Sequence, residues 1–400
     1  MWLRSRQLDS TSRAFWPTVS RRAILGLYIG TAALVTLQRG VLGPRHTTFL
    51  IFRRSFWHLL AGANLYAPYP LEQGAAPADL FKYSPTAALL FGAVAVPPYF
   101  LALFAWSLLG ALLIWYVLQK LVPGNAALVA AVLVYPDLLS SMQACSSNAL
   151  VAGLIALAFV LLEEAGWLRA ALTIVVGTAI KIFPIAALTF AVFHPRRHRF
   201  VLLVAIIGLA ALLLPLLVTP PATLLQQYRW WHEIESFDAA DLTFGFSVMQ
   251  LVRRLAGVGW PSWPMQLAGT VLLVMPLALR RSEWVELSFR RAYLTSVLAF
   301  AVLFNHQAEH PSFVIASLGV AIWCVSPPVR TQHAWIRGAI GLLALIGLHT
   351  VPLLLVWVLM QAELFGLLPF GDSREAAPAR SGAPAEPARL GTFTDSMSAE

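Results

Sequence analysis

Charged side chains are scarce in this sequence. Of its 400 residues, 12% are charged and 58% are hydrophobic, and the mean hydropathy is +0.72. No Asp, Glu, Lys or Arg occurs in 83–119, 201–228 or 338–362. About 20 apolar residues cross the roughly 30 Å of hydrocarbon in a bilayer, so each run is long enough to span it. The sequence therefore excludes a soluble enzyme with one anchor and predicts a multi-pass protein of the cell membrane, a bacterial inner membrane or a plasma membrane.

Cysteine and lysine are also rare. The two cysteines, Cys145 and Cys324, lie in or beside apolar segments, which excludes a disulfide framework and a thiolate metal site. There are 3 lysines but 25 arginines, and the net charge is +9. The arginines cluster beside hydrophobic runs, so we interpret them as determinants of cytoplasmic topology and expect no nucleic acid partner.

The apolar runs predict an all-α fold, a polytopic transmembrane helical bundle of about 10–13 helices with large outer loops. Residues 1–22 are expected to form a basic cytoplasmic N-terminus, 23–368 the transmembrane domain and 369–400 a disordered tail. The predicted spans are approximately 84–97, 99–119, 125–140, 147–163, 167–193, 200–218, 264–279, 292–304, 311–326 and 335–361.

Two stretches are interpreted as half-helices or hairpins in place of full crossings. One is 84–97, which ends in two prolines, and the other is 178–193, where we expect the helix to break at Pro184. Arginine-rich turns at 194–199, 280–291 and 330–337 are predicted to be cytoplasmic. The long polar loops 43–83 and 219–263 are therefore placed on the outer side.

Ionisable residues beside apolar spans are costly in a bilayer, so each is a candidate for function. A first group lies in the outer loop before residue 84 and contains Tyr66, Glu72, Asp79, Lys82 and Tyr83. Acids close to a lysine can divide the roles of general base and phosphate ligand. The alternative is an aromatic belt whose charges only solvate the loop.

Lys181 lies in the middle of an apolar run. One interpretation is that its long side chain reaches the membrane surface by snorkelling. The preferred one is that the helix breaks at Pro184 and the ammonium group of Lys181 points into a polar cavity, where it binds a phosphate or pyrophosphate.

Two further polar groups separate apolar spans. The first, between 292–304 and 311–326, comprises Asn305, His306, Gln307, Glu309 and His310. Its spacing fits no familiar zinc site, so we predict no metal and no other cofactor; a solvated turn and a substrate contact both remain open. The second comprises Gln143 and Asn148, which either cap a helix or contact substrate.

The order of these motifs resembles glycosyltransferase family 87, whose members depend on polyprenyl-phosphate sugars and fall within the C-type glycosyltransferase superfamily. The resemblance covers most of 20–365. It rests on Leu60–Tyr66, on Phe81–Pro85, on Gln143 and Asn148, and on Ile180–Pro184 followed by Pro195-Arg-Arg.

The resemblance implies an active site on the extracytoplasmic face of the membrane. There a hexose, mannose-like, would pass with inversion from a polyprenyl-phosphate donor to a hydroxyl of a glycolipid or glycan acceptor. Family members usually carry an aspartate in the first outer loop as general base, and Thr48 occupies that position here. We expect Asp79, or else Glu72, to take the role; the alternative is that transferase activity is lost.

Cations are needed to stabilise the departing phosphate. Lys181 is expected to supply one, helped by a residue from the set Arg53, Arg54, Lys82 and Arg229. This account requires Lys181 to share one polar pocket with Glu72, Asp79 or Glu309. A transporter or flippase of a lipid-linked glycan is the main alternative function, since transporters use broken helices at their binding sites. A scaffold without catalysis is the third.

Overall fold

The computed structural model describes residues 20–43, 45–69, 80–240, 245–257, 261–326 and 334–368, without the side chains of 238–240 and 334–335. Glu72 and Asp79 lie outside the described residues, as do 1–19 and 369–400. The roles predicted for these two acids and for the two chain ends therefore stay predictions.

The described residues form helices and no strand, which confirms the predicted all-α bundle. The α-helices are α1 (Arg21–Leu37), α2 (Thr47–Leu60), α3 (Pro85–Leu90), α4 (Gly92–Ala95), α5 (Tyr99–Leu121), α6 (Gly124–Gln143), α7 (Asn148–Glu163), α8 (Trp167–Ile180), α9 (Arg197–Leu213), α10 (Pro221–Ala240), α11 (Val248–Ala256), α12 (Ser262–Leu279), α13 (Leu287–Leu303), α14 (Phe313–Val325), α15 (Ala334–Ile346) and α16 (Thr350–Leu364).

Long helices run between two ends of the bundle. At one end, Ser140 Oγ near the end of α6 lies 3.1 Å from His310 Nδ1, just before α14. At the other, Lys120 at the end of α5 pairs with Glu164 after α7, with 2.8 Å between Nζ and Oε1. We call the first the site end and the second the basic end. The helices that connect the two ends are α1, α5, α6, α7, α9, α12, α13, α14, α15 and α16.

Short, arginine-rich turns characterise the basic end. The described basic residues there include Arg21, Arg22, Lys120, Arg169, Arg196, Arg197, Arg199, Arg280, Arg281, Arg290, Arg291 and Arg337. Three of them form close ion pairs: besides Lys120 with Glu164, Arg290 binds Glu163 through bonds of 2.7 and 2.8 Å, and Arg337 binds Glu363 at 2.8 Å. These pairs connect neighbouring helices at the end where positive charge collects.

Five helical segments are long and apolar enough to cross a membrane: Arg21–Leu42, Tyr99–Leu121, Gly124–Gln143, Arg197–Leu217 and Ser262–Leu279. Shorter apolar helices complete the bundle. Every residue of α14 is buried, so this helix lies at the centre. α9 is exposed along most of its length although it is strongly apolar, as expected for a helix that faces lipid. The chain is thus a polytopic membrane protein.

Glycines allow the central helices to approach closely. A Cβ atom placed on Gly319 of α14 would lie 2.7 Å from the carbonyl oxygen of Thr295 in α13, and one on Gly153 of α7 would lie 2.5 Å from Leu113 of α5. Small residues at such crossings let helix backbones pack directly in membrane proteins, where lipid tails compete with side-chain contacts.

Residues 167–194 form a hairpin within the bundle. α8 rises from the basic end, and a 3₁₀ helix, Phe183–Phe193, returns to it, so that the rings of Trp167 and His194 are 4.3 Å apart. The two arms match in length. α8 has 14 residues with a rise of about 1.5 Å per residue, and the 3₁₀ helix has 11 residues with a rise of about 2.0 Å, so each arm is roughly 21–22 Å long. Lys181 and Ile182 form the tip, where Lys181 is half-buried and Ile182 is exposed. Of the two interpretations of 178–193, a half-helix or a hairpin, the structure has the hairpin.

The break in this segment lies three residues before the predicted Pro184. α8 ends at Ile180, and Lys181 has an extended backbone with φ −142° and ψ 143°. Pro184 instead lies in the first turn of the returning arm, where its missing N–H costs no helical hydrogen bond. Gly177 lets the arms touch below the tip, since a Cβ there would be 2.8 Å from Cβ of Pro184. The prediction of Pro184 as the break point was wrong.

Two other predicted spans also differ from single crossings. The stretch 335–361 is divided into α15 and α16, with Gly347 between them at φ +96°, a conformation that suits glycine. The stretch 84–97 forms the short helices α3 and α4 at the site end, where Thr86 Oγ1 donates to the carbonyl oxygen of Ala211 at 2.7 Å. The short helices in 84–97 agree with the interpretation of this stretch as something other than a full crossing. The division of 335–361 is a correction, and it follows from a local break that hydropathy does not register.

The outer loops carry helices of their own at the site end. α10 is fixed to the first loop by Gln227, whose amide donates to the carbonyl of Ala63 at 2.7 Å and accepts from the N–H of Leu65 at 3.1 Å. Further along, Trp231 Nε1 donates to the carbonyl of Lys82 at 3.4 Å. The long loop 219–263 thus has defined structure over α10 and α11 and lies against the other outer loop.

Candidate functional site

A cavity of about 650 Å³ opens at the site end. The hairpin tip, the start of α7, the segment before α3, α10 and the turn between α13 and α14 contribute to its wall. The volume falls in the range of small-ligand sites, about 300–1,000 Å³. Its polar lining residues are Thr48, Lys82, Tyr83, Ser84, Ser146, Asn148, Thr178, Lys181, Trp231, His232, Glu235, Gln266, Thr270, Asn305, His306, Gln307 and Glu309.

Lys181 enters this cavity from the hairpin tip. Its Nζ donates to Asn148 Oδ1 at 2.7 Å and lies 5.6 Å from the centre of the Phe183 ring. The side chain is half-buried, in a cavity wall far from the basic end. The ammonium group thus has an amide acceptor and an aromatic ring beside it at the cavity wall.

Asn148 is oriented for this contact by its own neighbours. The residue is 1% exposed, and its Nδ2 donates to Ser146 Oγ at 3.2 Å. Ser146 Oγ in turn lies 2.9 Å from Ser141 Oγ at the end of α6. Since an ammonium group can only donate, the amide must turn its oxygen towards Lys181. The serines at the α6–α7 turn thus position the partner of the lysine.

The turn between α13 and α14 brings three predicted residues to the same cavity. Asn305, His306 and Glu309 all line it. Gln266 of α12 fixes the histidine, with 3.2 Å between its Nε2 and His306 Nδ1. The Glu309 carboxylate also accepts from the backbone N–H of Ser312 and so caps the short 3₁₀ turn that precedes α14. Glu309 and Lys181 therefore line the same cavity. The proposed role of Lys181 required such a shared pocket with Glu72, Asp79 or Glu309.

A second acid, Glu235 of α10, was not among the predicted site residues. It lines the cavity, and the Gln307 amide Nε2 is 3.3 Å from its Oε2. The signal that would have found it is the spacing of Trp231 and Glu235, which are four residues apart and so share one face of a helix. α10 thus spans from the Lys82 segment to the α13–α14 turn.

Aromatic residues support the part of the cavity beside Lys82. Tyr83 lines the cavity, and its backbone carbonyl accepts from the Tyr66 hydroxyl at 2.9 Å. Tyr66 itself is buried behind this wall, and burial raises its pKa, so that the hydroxyl remains a proton donor. The predicted residue Tyr66 therefore supports the wall and does not line the cavity.

The arginines proposed as additional phosphate ligands lie elsewhere. Arg53 donates to the backbone carbonyls of Val94 and Pro97, at 2.6 and 2.8 Å, and so holds α4 against α2. Arg54 borders a separate, smaller crevice beside His58. Arg229 is exposed on α10 and is not a lining residue. Their positions follow from the helix faces on which they occur, which point away from the cavity.

Two other predicted residues at the site end are also outside the cavity lining. Gln143 is exposed at the end of α6. His310 packs between Phe246 and Phe313, with ring centroids 6.0 Å away in each case, and its Nδ1 contacts Ser140. His310 thus joins α6 to α14, although its neighbours in the turn face the cavity.

Thr48, at the position of the family aspartate, lines the cavity. It is the second residue of α2, and its backbone N–H donates to Nδ1 of His46 at 3.3 Å. Burial, with the nearby charge of Arg39, lowers the pKa of His46 and so favours the neutral ring, the form that can accept this hydrogen bond. Leu80, the first described residue after Asp79, also lines the cavity. Within the described residues no group of three His, Cys, Asp or Glu side chains is placed to hold a metal ion.

One protein family matches a large part of the chain. The model of a family described as Glycosyltransferase family 87 matches residues 81–327. This range contains the hairpin, the start of α7, α10 and the α13–α14 turn, which are the elements that build most of the cavity. No curated protein matches the chain.

Proposed function

Because the chain belongs to glycosyltransferase family 87, we propose that it transfers a hexose from a polyprenyl-phosphate donor to a hydroxyl of a glycolipid or glycan acceptor. The observation that carries this proposal is the position of Lys181. Its side chain extends from the hairpin tip into a cavity that is also lined by Glu235 and Glu309. A phosphate is the ligand that such a lysine binds in many proteins.

The cavity has apolar lining for the polyprenyl chain of a lipid-linked sugar and polar lining for its sugar phosphate. Phe183, Ile185, Phe300 and Phe304 give it apolar lining beside the polar groups, and Ile182 and Ile185 are exposed next to it on the hairpin. A donor whose phosphate lies at Lys181 can leave its polyprenyl chain among membrane lipids at this side. The sugar then lies in the polar part of the cavity.

The reaction requires one bond to form and one to break. The acceptor hydroxyl attacks C1 of the sugar, a carboxylate removes the hydroxyl proton, and the bond from C1 to the phosphate oxygen breaks, which releases polyprenyl phosphate. Lys181, with Lys82, would stabilise the charge of that leaving group. Asp79 stays the predicted base, with Glu72 as the other predicted acid.

We place the site end on the extracytoplasmic side. The supporting feature is the basic end, whose short turns are rich in arginine, since short arginine-rich loops stay in the cytoplasm during insertion. The donor would therefore be met at the outer surface of the cell membrane, and membrane lipid would surround the bundle. A lipid-linked donor and acceptor are the partners that this position favours.

The direct test is transfer by the purified protein in nanodiscs. Radiolabelled polyprenyl-phosphate hexoses and an extracted glycolipid acceptor are supplied, and labelled product is measured. We expect transfer by wild type, a loss of about 100-fold or more in Lys181→Gln, and partial activity in Lys181→Arg, which keeps the charge. Lys120→Gln, which changes a lysine at the basic end, is the matched control and is expected to remain active.

A flippase of a lipid-linked glycan is the second candidate, favoured by the broken helix at Lys181. A translocation assay with the purified protein reconstituted in liposomes distinguishes the two functions. A flippase moves labelled lipid-linked glycan between leaflets without an acceptor, whereas a transferase produces labelled product and moves nothing. Translocation by wild type without any sugar transfer would replace the proposed function by this one.

A further inference from the structure

Two helices that pack against each other, α8 and α9, carry arginines at or just before their first turns, at the basic end. All four are exposed, and within the part of the chain that the structure describes none forms an ion pair: Arg169, Arg196, Arg197 and Arg199. The acids that precede α8 have other partners. Glu163 is bound to Arg290, and Glu164 is bound to Lys120. The four arginines therefore have positive charge that the described residues do not compensate.

The starts of the two helices are held together by Trp167. Its ring centroid is 4.3 Å from that of His194, in the turn that precedes α9, and 5.7 Å from Cζ of Arg196. Phe200 is fully buried and fixes the first turn of α9 against the bundle. The arginines thus belong to one surface, which we call the α8–α9 arginine cluster.

Exposed apolar residues follow Arg169 and Arg199 at the third and seventh positions further along each helix. These residues are Leu172 and Val176 in α8 and Leu202 and Ile206 in α9. Residues with this spacing share one face of an α-helix, so each arginine stands at the end of an apolar stripe. A phospholipid has the same order of parts, with a charged headgroup at the membrane surface and acyl chains below it.

The charge of the cluster selects among phospholipids. The guanidinium group of arginine binds phosphate oxygens through two parallel N–H donors. Clusters of arginine beside membrane-spanning helices attract anionic headgroups, and each nearby cation adds to the attraction. The headgroup of phosphatidylcholine carries a cation of its own, which the arginines would repel. An anionic phospholipid therefore fits this surface better than a zwitterionic one.

We propose that the α8–α9 arginine cluster binds the headgroup of an anionic phospholipid from the leaflet at the basic end, with the acyl chains along the exposed stripes of both helices. This surface is separate from the cavity, which opens at the site end, and the inference does not rest on the proposed function. α8 is also the arm that leads to Lys181, so the lipid lies against the base of the hairpin.

Competition between two lipids tests the proposal. The purified full-length protein, in a neutral detergent, is mixed with equal amounts of phosphatidylglycerol and phosphatidylcholine that have the same acyl chains. The bound lipids are then counted by native mass spectrometry. We expect wild type to retain phosphatidylglycerol over phosphatidylcholine by about 10-fold or more, because several cations act on one headgroup.

Three double variants identify the residues responsible. Arg169→Gln with Arg199→Gln removes one cation from each stripe and should reduce the preference by about 5-fold or more. Arg169→Lys with Arg199→Lys keeps the charge and should retain most of it. The matched control is Arg22→Gln with Arg281→Gln, which removes two exposed arginines from separate elements at the same end. This control should keep the wild-type preference.

A cross-linking arm locates the lipid on wild-type protein, so it does not depend on how the variants fold. Phosphatidylglycerol with a photoactivatable group in one acyl chain should label peptides from 168–176 and 201–213. Equal retention of the two lipids by wild type would overturn the inference, and so would an equal loss of preference in the control variant. Labelling spread evenly over the exposed apolar helices would also overturn it. None of these results depends on sugar transfer.

Discussion

Lys181 and Asn148 join the hairpin tip to the first residue of α7 through a hydrogen bond of 2.7 Å between Nζ and Oδ1. The contact fixes an ammonium group at the cavity wall without neutralising it, because the amide oxygen carries no net charge. This contact therefore does not compete with a phosphate for the charge of the lysine. An acidic partner at the same place would hold the lysine equally well but would compete with that phosphate.

This relationship predicts opposite effects of two substitutions at position 148. Asn148→Asp should leave thermal stability unchanged or raised, yet increase KM for the lipid-phosphate donor by about 10-fold or more, because the new carboxylate pairs with Lys181. Asn148→Leu removes the acceptor and should cost about 1–3 kcal/mol of stability. Melting curves and donor titrations measure both effects. A donor KM unchanged in Asn148→Asp would argue against phosphate binding at Lys181.

The packing of the hairpin arms gives a second prediction. Gly177→Ala places a methyl group 2.8 Å from Cβ of Pro184, so the arms must separate, at a cost of about 1–3 kcal/mol. The tip would move with them and transfer should fall. Gly208→Ala in the exposed helix α9 meets no atom within 4 Å and is the control, with a gain of up to about 1 kcal/mol from helix propensity. Equal melting temperatures for the two variants would contradict the close packing of the arms.

The identity of the base can be tested through Thr48. Asp79→Asn is predicted to lower the transfer rate by about 10²–10⁴-fold if this acid is the base. Thr48 lines the cavity, so Thr48→Asp in that background would supply a carboxylate there and should restore about 10-fold of the lost rate. Thr47→Asp, one residue earlier and outside the lining, should restore none. Full activity of Asp79→Asn alone would remove Asp79 from the mechanism and leave Glu72 as the predicted acid.

The start of α2 is expected to weaken in acid. The pKa of His46 is lowered in the folded protein, chiefly by burial, so the unfolded chain takes up the proton first as the pH falls. Stability from this group is therefore present above its unfolded pKa of about 6.5 and decreases below it. Melting temperatures at pH 7.5 and 5.5 should show a smaller loss in His46→Asn, which keeps a capping side chain without titrating. An identical loss in both proteins would exclude His46 as a source of acid sensitivity.

Much of the fold could be predicted because hydropathy and charge record which segments are buried in lipid. The positions of most long helices follow from that pattern. The hairpin tip at Lys181 could be located only to within a few residues, since the break depends on how Gly177 and Pro184 pack, which is a contact between arms. The division of 335–361 depends on one glycine conformation at Gly347 that hydropathy does not record.

The candidate site was predictable where polar residues interrupt apolar runs. Lys82, Tyr83, Asn148, Lys181, Asn305, His306 and Glu309 all line the cavity. Sequence alone did not separate them from Arg53 or His310, whose partners are backbone carbonyls and rings on other helices. Glu235 was not predicted because an acid in a long polar loop costs no free energy of membrane insertion, which was the criterion that identified the other candidates.

The most direct measurement is the position of a bound lipid phosphate. Cryo-electron microscopy of the protein in nanodiscs with polyprenyl monophosphate would show where that group lies. The account predicts that its phosphorus atom lies within about 4 Å of Lys181 Nζ. At that distance one phosphate oxygen can accept a charge-assisted hydrogen bond from the ammonium group. Phosphate density elsewhere, with Lys181 contacting only Asn148, would contradict it.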